Sequence, residues 1–442
     1  MGRSRYLRAV HPGPAGGLDP EAPQMLLECL TGVSERIGQP AVLFAMDDLS
    51  AITVSRVAPM LTDRFRIPHQ PANLPARVAD KAELARLCAR WDVPHPETVV
   101  PASGGEAATA ARRLGLPVVA KWSRPWLLPA AAEGLRSTTL VHTVAEVRRL
   151  YERSAEAGSR LLLQRFLPAG PDTDWFFHGA FSRGGRPLLA GSGRKELSWP
   201  VRTGLTAVGR WLQDPAVEEA GLRLAARLGY QGILDLDFRR DERGAFRLVD
   251  FNPRPGAQFR LFTDAAGLDV VQAMYLDLTG QRVPEPAGGP GRVFVAENYA
   301  LLAALHGRSL PRRRAADAAP PGAAARPAPR TGPGRRGRAP AGRGRGRGPE
   351  RERGRVEAAW FAADDPVPFL AMLLAFLARG FGKGARVLRG VPAQGRLTAL
   401  AVRAPRQRGR EQPGPPPLSR PAPPQAPAPP EAPAAPDELV TR

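Results

Sequence analysis

The chain has 442 residues, of which 43% are hydrophobic, so it is long enough for two or three domains and can fill a core. Its formal net charge of +21 would by itself indicate a nucleic-acid or anionic-membrane partner. However, residues 308–355 contain 15 Arg against three acidic residues, and residues 1–307 keep a net charge of only +5. The composition therefore excludes a uniformly basic protein and a chain that is disordered throughout.

The two cysteines, Cys29 and Cys88, provide neither a disulfide framework nor a metal cluster, which predicts a reducing cytoplasm. The N-terminal residues contain no apolar signal-peptide core, and the longest apolar run, residues 369–378, is too short to cross a bilayer. We therefore predict neither export nor membrane insertion. The sequence gives no indication of the oligomeric state.

Residues 1–78 predict a partial Rossmann-like α/β domain. Hydrophobic periodicity predicts a helix over 21–37, a short strand over 41–45, and a second helix that Asp48 or Ser50 caps. The strand, Gly-rich turn and helix that normally open such a unit do not precede Arg5. This indicates either a reduced domain or a start codon placed too far downstream, and we favour the second.

Residues 79–300 predict a domain of the α+β class, because helices and strands follow no uniform repeat. Asp80 is the expected N-cap of a helix that ends near Trp91. The remaining predicted elements are a helix over 105–114, a strand over 117–121, a helix over 143–156, a strand over 160–167, strands over 175–181 and 187–199, a helix over 215–228, a hairpin of strands over 232–239 and 245–251, and a helix over 268–278.

The composition changes sharply near residue 308. Residues 308–355 are rich in Arg, Pro, Ala and Gly without periodicity, so we predict a disordered linker. Out-of-frame GC-rich DNA also encodes such a tract, so a frameshift artefact is a second explanation. Residues 356–402 predict a short helical segment, and residues 403–442 predict a disordered tail rich in Pro and Ala.

Lysine is scarce in this chain, since only four of the 63 basic residues are Lys. In a chain so biased towards Arg, each remaining Lys marks a position where Arg was not interchangeable. Lys81 opens a predicted helix, Lys121 ends an apolar strand, and Lys195 lies within a later strand; the fourth is Lys383. Three of the four lysines therefore lie in segments that could present a positive charge to phosphates.

The hairpin brings oxygen ligands together. Asp250 and Asn252 are two residues apart and share one face of their strand, and Asp237 on the partner strand can stand opposite them. Such oxygens suit Mg²⁺, and Arg254 is placed to stabilise the charge that develops when ATP phosphorylates a carboxylate. The alternative interpretation is a surface hairpin with alternating polar residues. Asp235 is expected on the opposite face of the hairpin, where it could serve as an acid behind the metal ligands.

Three other side chains are predicted to be structural. His178 is interpreted as a structural rather than a catalytic residue, and Trp199 and Trp211 as packing residues rather than a stacking surface for a substrate.

The order of these residues resembles the ATP-grasp superfamily over roughly residues 40–300. The matching positions are Lys81, Lys121, the segment 164–167, Asp237 with Phe238, and the segment 250–254. The pattern is similar to the carbamoyl-phosphate synthase and biotin carboxylase branch and to related carboxylate–amine ligases. The resemblance implies two α+β subdomains that clasp ATP, here preceded by the partial α/β domain.

The resemblance also implies a role for each matching residue. The implied phosphate ligands are Lys81 and Lys121, the adenine-binding segment is Gln164, Arg165, Phe166 and Leu167, and the ligands of Mg²⁺ or Mn²⁺ are Asp237, Asp250 and Asn252. Arg254 would face the transferred phosphoryl group. Lys195 is left with two interpretations, a contact to a phosphate or the acceptor, or an exposed strand residue.

The chain departs from the family pattern in three places. Many members have Glu where Gln164 or Arg165 stands, and Asp replaces the more usual Glu at positions 237 and 250. The phosphate loop of the family is usually Gly-rich, but Gly134 is the only glycine in residues 122–137.

We predict an ATP- and Mg²⁺-dependent ligase that activates a small-molecule carboxylate as an acyl phosphate for attack by an amine. One alternative is a non-catalytic ATP-binding protein. Another is an Arg-rich nucleic-acid-binding protein, motivated by the segments 335–338 and 343–347. That tract offers no aromatic side chains for base stacking, so we favour an inert linker or an artefact over nucleic-acid binding.

Overall fold

The structure is a computed structural model that describes residues 3–14, 17–71, 73–129, 134–170, 172–199, 204–309 and 356–388, without the side chains of 306–309 and 379–388. The chain divides into Met1–Ala393 and Gln394–Arg442, and every described residue belongs to the first unit. The predicted linker over 308–355, apart from its first two residues, and the predicted tail over 403–442 lie outside the described residues.

The first elements form a small α/β layer. They are α1 (Gln24–Ile37), β1 (Ala41–Val42), α2 (Asp48–Val57) and β2 (Phe65–Arg66), and the two strands pair in parallel. The helices pack over a core that includes Leu61 and Phe65. The N-cap of α2 is Asp47, whose side chain accepts a hydrogen bond from the backbone of Ser50, so the predicted cap at Asp48 or Ser50 was wrong. Asp48 is instead the first residue of the helix.

A four-stranded antiparallel sheet follows, with strand order β3-β6-β4-β5. The elements of this region are α3 (Leu74–Ala79), α4 (Lys81–Arg90), β3 (Thr98–Val99), α5 (Gly104–Leu114), β4 (Val118–Trp122), β5 (Thr138–Val141), α6 (Val144–Glu152), α7 (Ser154–Ala157) and β6 (Leu161–Arg165). Small side chains of α5, such as Ala111, pack against Val118 and Leu163 of the sheet. The helix predicted over 143–156 is two helices that meet at Arg153, and the predicted strand over 160–167 ends at Arg165.

The larger sheet has seven strands in the order β11-β10-β7-β8-β9-β12-β13, antiparallel except for the last pair. Its elements are β7 (Asp174–Phe181), β8 (Pro187–Trp199), β9 (Leu205–Trp211), α8 (Pro215–Leu228), β10 (Gly232–Arg240), β11 (Phe246–Asn252), α9 (Val270–Leu278), β12 (Val293–Val295), α10 (Glu297–Ser309), β13 (Val356–Ala358) and α11 (Val367–Leu388). Four short 3-10 helices complete the described structure, at Ala58–Met60, Pro125–Leu127, Arg183–Gly185 and Phe259–Leu261.

This sheet buries both of its faces. Consecutive side chains of a strand point to opposite sides, so Phe177 packs under α8 with Leu224, whereas Phe176 packs under α9 with Met274. Trp211 lies in the second of these cores, as predicted for a packing residue. The hairpin of β10 and β11 forms one edge of the sheet and is therefore fixed by packing from both sides.

Residues 356–365 close the opposite edge. Strand β13 pairs with β12, and the carboxylate of Glu297 accepts hydrogen bonds from the backbone of Trp360 and Phe361. The side chains of Asp364 and Asp365 bind Tyr6 and Ser4 near the N-terminus. The sequence predicted only a helical segment here, because a three-residue strand gives no detectable alternation. None of the helices among the described residues combines the length and apolar content that a bilayer crossing needs.

Candidate functional site

A narrow cleft separates the four-stranded sheet from the edge hairpin of the larger sheet. It is lined by Lys121 and Gln164 from β4 and β6, by Leu248 and Val249 from β11, and by Lys81 from α4. Residues from three separate segments of the predicted site therefore line one cleft, and two lysines stand at its wall.

Lys81 is held by the start of α4. Asp80 caps the helix by accepting hydrogen bonds from the backbone of Ala82 and Glu83, as the sequence predicted. The ammonium group of Lys81 pairs with the carboxylate of Asp250. The side chain of Lys81 is only 10% exposed, so this ion pair holds its ammonium group beside the edge hairpin.

Lys121 approaches the same hairpin from the other sheet. Its Nζ donates a hydrogen bond to the backbone oxygen of Val249 at 2.9 Å. Burial lowers the pKa of Lys121 to about 8, although the nearby carboxylate of Asp250 opposes that shift. This lysine therefore titrates close to neutral pH.

Four polar side chains form a two-by-two array on one face of the hairpin. The register pairs Asp237 with Asp250 and Asp235 with Asn252. Residues two apart on one strand share a face, so Asp235 lies on the same face as Asp237. The predicted position of Asp235 on the opposite face was therefore wrong.

Each predicted metal ligand has a cationic partner within the chain. Lys81 pairs with Asp250, Lys195 Nζ lies 2.6 Å from Asp237 Oδ1, and Arg254 Nη2 donates to Asn252 Oδ1 at 3.1 Å. Burial would raise the pKa of Asp250, but the charges of Lys81 and Lys121 outweigh it and hold that pKa below its usual range. Burial would likewise lower the pKa of Lys195, but the neighbouring carboxylate of Asp237 holds the pKa of that lysine above its usual range.

The donor set fits a divalent cation that is shared with phosphates. Two carboxylates and one amide oxygen are hard ligands, and Mg²⁺ is commonly held by one or two carboxylates together with substrate phosphates. Among the described residues, no cluster of three or more Asp, Glu, His or Cys is arranged to hold a metal without such help. The array therefore suits a metal that arrives with a polyanion, whose phosphates would take over the lysines.

Arg254 follows the array and is held on three sides. Its Nε donates to Asp48 Oδ1 at 3.0 Å, Nη1 to the backbone oxygen of Pro255 at 3.1 Å, and Nη2 to Asn252. Burial raises the pKa of Asp48, although the charge of Arg254 opposes the shift. The sequence pattern missed Asp48, since a carboxylate in the first turn of a helix is usual and signals no contact with a distant strand.

A buried group lies beneath Arg254. His178 is fully buried, and its Nε2 accepts a hydrogen bond from the backbone of Gly256 at 3.2 Å. Burial, with the positive charge of Arg254, lowers the pKa of His178 to about 3, so the ring is neutral. Gln258 Nε2 donates to Asp235 Oδ1 at 3.2 Å. His178 therefore contacts the chain's own turn, as expected for a structural histidine.

The predicted adenine segment is divided between two environments. Gln164 is buried in the cleft wall and donates from Nε2 to Thr98 Oγ1 at 3.0 Å. Arg165 is exposed and pairs with Glu97 at 2.6 Å, whereas the backbone oxygen of Leu167 accepts from Arg239. Phe166 follows the end of β6 and is half-buried. The structure describes all four of these side chains, and Gln164 is the one of them that lines the cleft. Part of the predicted phosphate loop, residues 130–133, lies outside the described residues.

The titration of Lys121 leads to a testable pH dependence. A phosphate binds the charged lysine, so its affinity is full below the pKa of about 8 and falls as pH rises through it. We expect the Kd of MgATP, measured by calorimetry from pH 7 to 9, to rise several-fold in the wild type. Lys121→Met should bind more weakly at every pH and lose most of this slope. An unchanged slope in the variant would mean that another group causes it.

No family model matches the chain. Among the curated proteins, it is 23% identical over 240 residues to the C-terminal section of the carbamoyl phosphate synthase large chain of Methanopyrus kandleri, covering 50% of this chain and 42% of that protein. It is 28% identical over 228 residues to the carbamoyl phosphate synthase large chain of Rubrobacter xylanophilus, covering 47% of this chain and 20% of that protein. The chain spans less than half the length of these relatives. These similarities support the resemblance to the ATP-grasp superfamily.

Solved structures similar to this chain include a biotin carboxylase from Campylobacter jejuni, with 16% sequence identity and a TM-score of 0.47, covering 59% of this chain and 58% of that one. They also include N5-carboxyaminoimidazole ribonucleotide synthetase from Thermus thermophilus, with 18% identity and a TM-score of 0.45, covering 60% of this chain and 68% of that one. Two sheets with a cleft between them are the arrangement that the resemblance to the ATP-grasp superfamily implies.

Proposed function

We propose that this chain is an ATP- and Mg²⁺-dependent ligase that activates a carboxylate as an acyl phosphate for attack by an amine or another nucleophile. One observation carries the proposal: Lys81, Lys195 and Arg254 contact Asp250, Asp237 and Asn252 respectively, and Lys81 also lines the cleft together with Lys121. Phosphoryl transfer to a carboxylate requires this mixture of cations and hard oxygen ligands, because it brings several anions together.

The reaction proceeds in two steps. A carboxylate oxygen forms a bond to the γ-phosphorus of ATP, the bond from that phosphorus to the bridging oxygen breaks, and ADP leaves. The nucleophile nitrogen then forms a bond to the acyl carbon, the bond from that carbon to the phosphate oxygen breaks, and the nitrogen loses a proton. Mg²⁺ held by Asp237, Asp250 and Asn252 would neutralise the phosphate charges.

The remaining residues bind and orient the anions. Lys81 and Lys121 face the cleft from two different elements, so they are placed to bind the phosphates of one nucleotide from two sides. Lys195 is 17% exposed and lies beside Asp237, which supports a contact to a phosphate or the acceptor rather than a solvated strand position. Arg254 would stabilise the charge of the transferred phosphoryl group. The relatives are named for carbamoyl phosphate synthesis.

The proposal is tested by ADP release. Purified protein with MgATP, bicarbonate or a mixture of carboxylic acids, and an amine mixture should release ADP only when an accepted carboxylate is present. A thermal-shift titration with MgATP measures nucleotide binding in parallel. Nucleotide binding without ADP release for any carboxylate would favour the alternative of a non-catalytic ATP-binding protein. The absence of nucleotide binding would contradict both proposals.

A further inference from the structure

The N-terminal layer supplies a carboxylate to the candidate site. Asp48 begins α2, and its Oδ1 accepts from Arg254 Nε at 3.0 Å, although the two residues are 206 positions apart. Both side chains are 21% exposed, so the pair lies at the wall of the site rather than in open solvent. Lys81 and Asp250 also act electrostatically on Asp48, so Asp48 lies near the Lys81–Asp250 pair.

The contacts of Arg254 restrict the orientation of its guanidinium plane. An arginine has five N–H donors in a rigid fork. Asp48, the backbone of Pro255 and Asn252 each take one donor, at Nε, Nη1 and Nη2 respectively. One N–H on each terminal nitrogen is thus left over by these three bonds. Of these three acceptors, Asp48 comes from a distant part of the chain, whereas Asn252 and Pro255 are close to Arg254 in sequence.

The segment after β2 contacts the residue just before β10, one of the two strands that carry the array. The backbone of His69 donates to Gln231 Oε1 at 2.7 Å, and Gln70 Nε2 donates to the backbone oxygen of Gln231. Phe44, just before α2, packs against the core beneath α9. These contacts join the segments on both sides of α2 to the start of β10 and to the core beneath α9.

We propose that Asp48 is a positioning residue, which orients Arg254 so that its two remaining N–H groups meet the transferred phosphoryl group. The inference rests on the proposed function and adds to it a role for the N-terminal layer, which no sequence motif assigns. A fixed donor geometry matters most where charge develops during transfer, because misorientation weakens transition-state contacts more than ground-state binding. Loss of Asp48 should therefore lower the rate of transfer and spare nucleotide affinity.

The test uses the reverse half-reaction with carbamoyl phosphate as the acyl-phosphate probe. A β-phosphate oxygen of ADP forms a bond to the phosphorus, the bond from phosphorus to the carbamate oxygen breaks, and the ATP formed is measured with luciferase. We expect Asp48→Asn to lower kcat at least tenfold while the KM for MgADP changes less than twofold. Asp48→Glu should restore part of the rate, because it keeps an anionic acceptor.

Asp47→Asn is the matched control. It removes one negative charge from the neighbouring residue, and Asn can still cap α2 towards Ser50. We expect wild-type kinetics from this variant. A wild-type kcat for Asp48→Asn, or a parallel loss of ADP affinity, would overturn the positioning role. If the wild type itself binds MgADP but forms no ATP from carbamoyl phosphate or from other acyl phosphates, the proposed function fails, and the inference that rests on it fails with it.

Discussion

Replacing Asp250 with Asn is expected to lower ADP release by about 100-fold or more, the scale seen when one charged group of a phosphoryl-transfer site is lost. Asp250 contributes an oxygen to the array and pairs with Lys81, which is 10% exposed. The variant therefore replaces a charged oxygen of the proposed metal site with a neutral amide oxygen, and it leaves the largely buried Lys81 without its counter-charge. Steady-state ADP release at saturating MgATP measures the effect.

Two further variants separate the metal-ligand role from a general loss of structure. Asp250→Glu keeps the carboxylate, and Glu is the more usual residue of the family at this position, so we expect it to retain most of the turnover. Asp269→Asn removes one negative charge at the N-cap of α9, where Asn also caps well. We expect it to behave as wild type. Full turnover in Asp250→Asn would show that the hairpin is not the metal site.

Replacing Gly256 with Ala is expected to reduce the free energy of unfolding by about 2 kcal/mol, typical of overpacking in a buried site. A Cβ at this position would overlap Asp235 Oδ2, and it would lie 2.7 Å from Asp235 Cγ and 3.1 Å from His178 Cε1. Asp235 is 5% exposed and His178 is fully buried, so neither side chain can move into solvent. Chemical denaturation followed by fluorescence measures the change.

Gly32→Ala is the matched control for this substitution. Gly32 lies within α1 with open space around its Cβ position, so Ala should leave stability unchanged or raise it slightly. In the Gly256→Ala background, Asp235→Ala removes the overlapping atoms and should recover part of the lost stability. Equal stability of Gly256→Ala and the wild type would contradict the close packing of Gly256 against Asp235 and His178.

The hairpin could be predicted in detail because its information is local. Alternation over 232–239 and 245–251 gave the two strands, and the period of two placed Asp250 and Asn252 on one face. The register between the strands could not be read in the same way, because the turn and a bulge beside Asp237 set it. The face of Asp235 did not depend on the register, because Asp235 lies two residues from Asp237 on the same strand and so shares its face.

The partners of the charged residues were beyond sequence reasoning. Scarcity marked Lys81 as a candidate phosphate ligand, but its contact with Asp250 spans 169 positions and depends on how α4 packs beside β11. The resemblance assigned Arg165 to adenine binding, but its side chain pairs with Glu97. Local patterns specify which side chains share an element, whereas tertiary packing decides which elements meet.

The sequence alone determined the α+β class and most helices and strands, and it singled out the lysines and the Asp-Phe-Asn-Pro-Arg segment as the candidate chemical centre. Only the tertiary structure decided that both sheets meet at one cleft, that Asp250 and Asp237 of the proposed metal site pair with lysines, and that α2 brings Asp48 to Arg254. The physical reason is the distance along the sequence over which each kind of interaction acts. Periodicity, capping and turn chemistry act over a few residues, but ion pairs form between segments that the burial of apolar surface brings together.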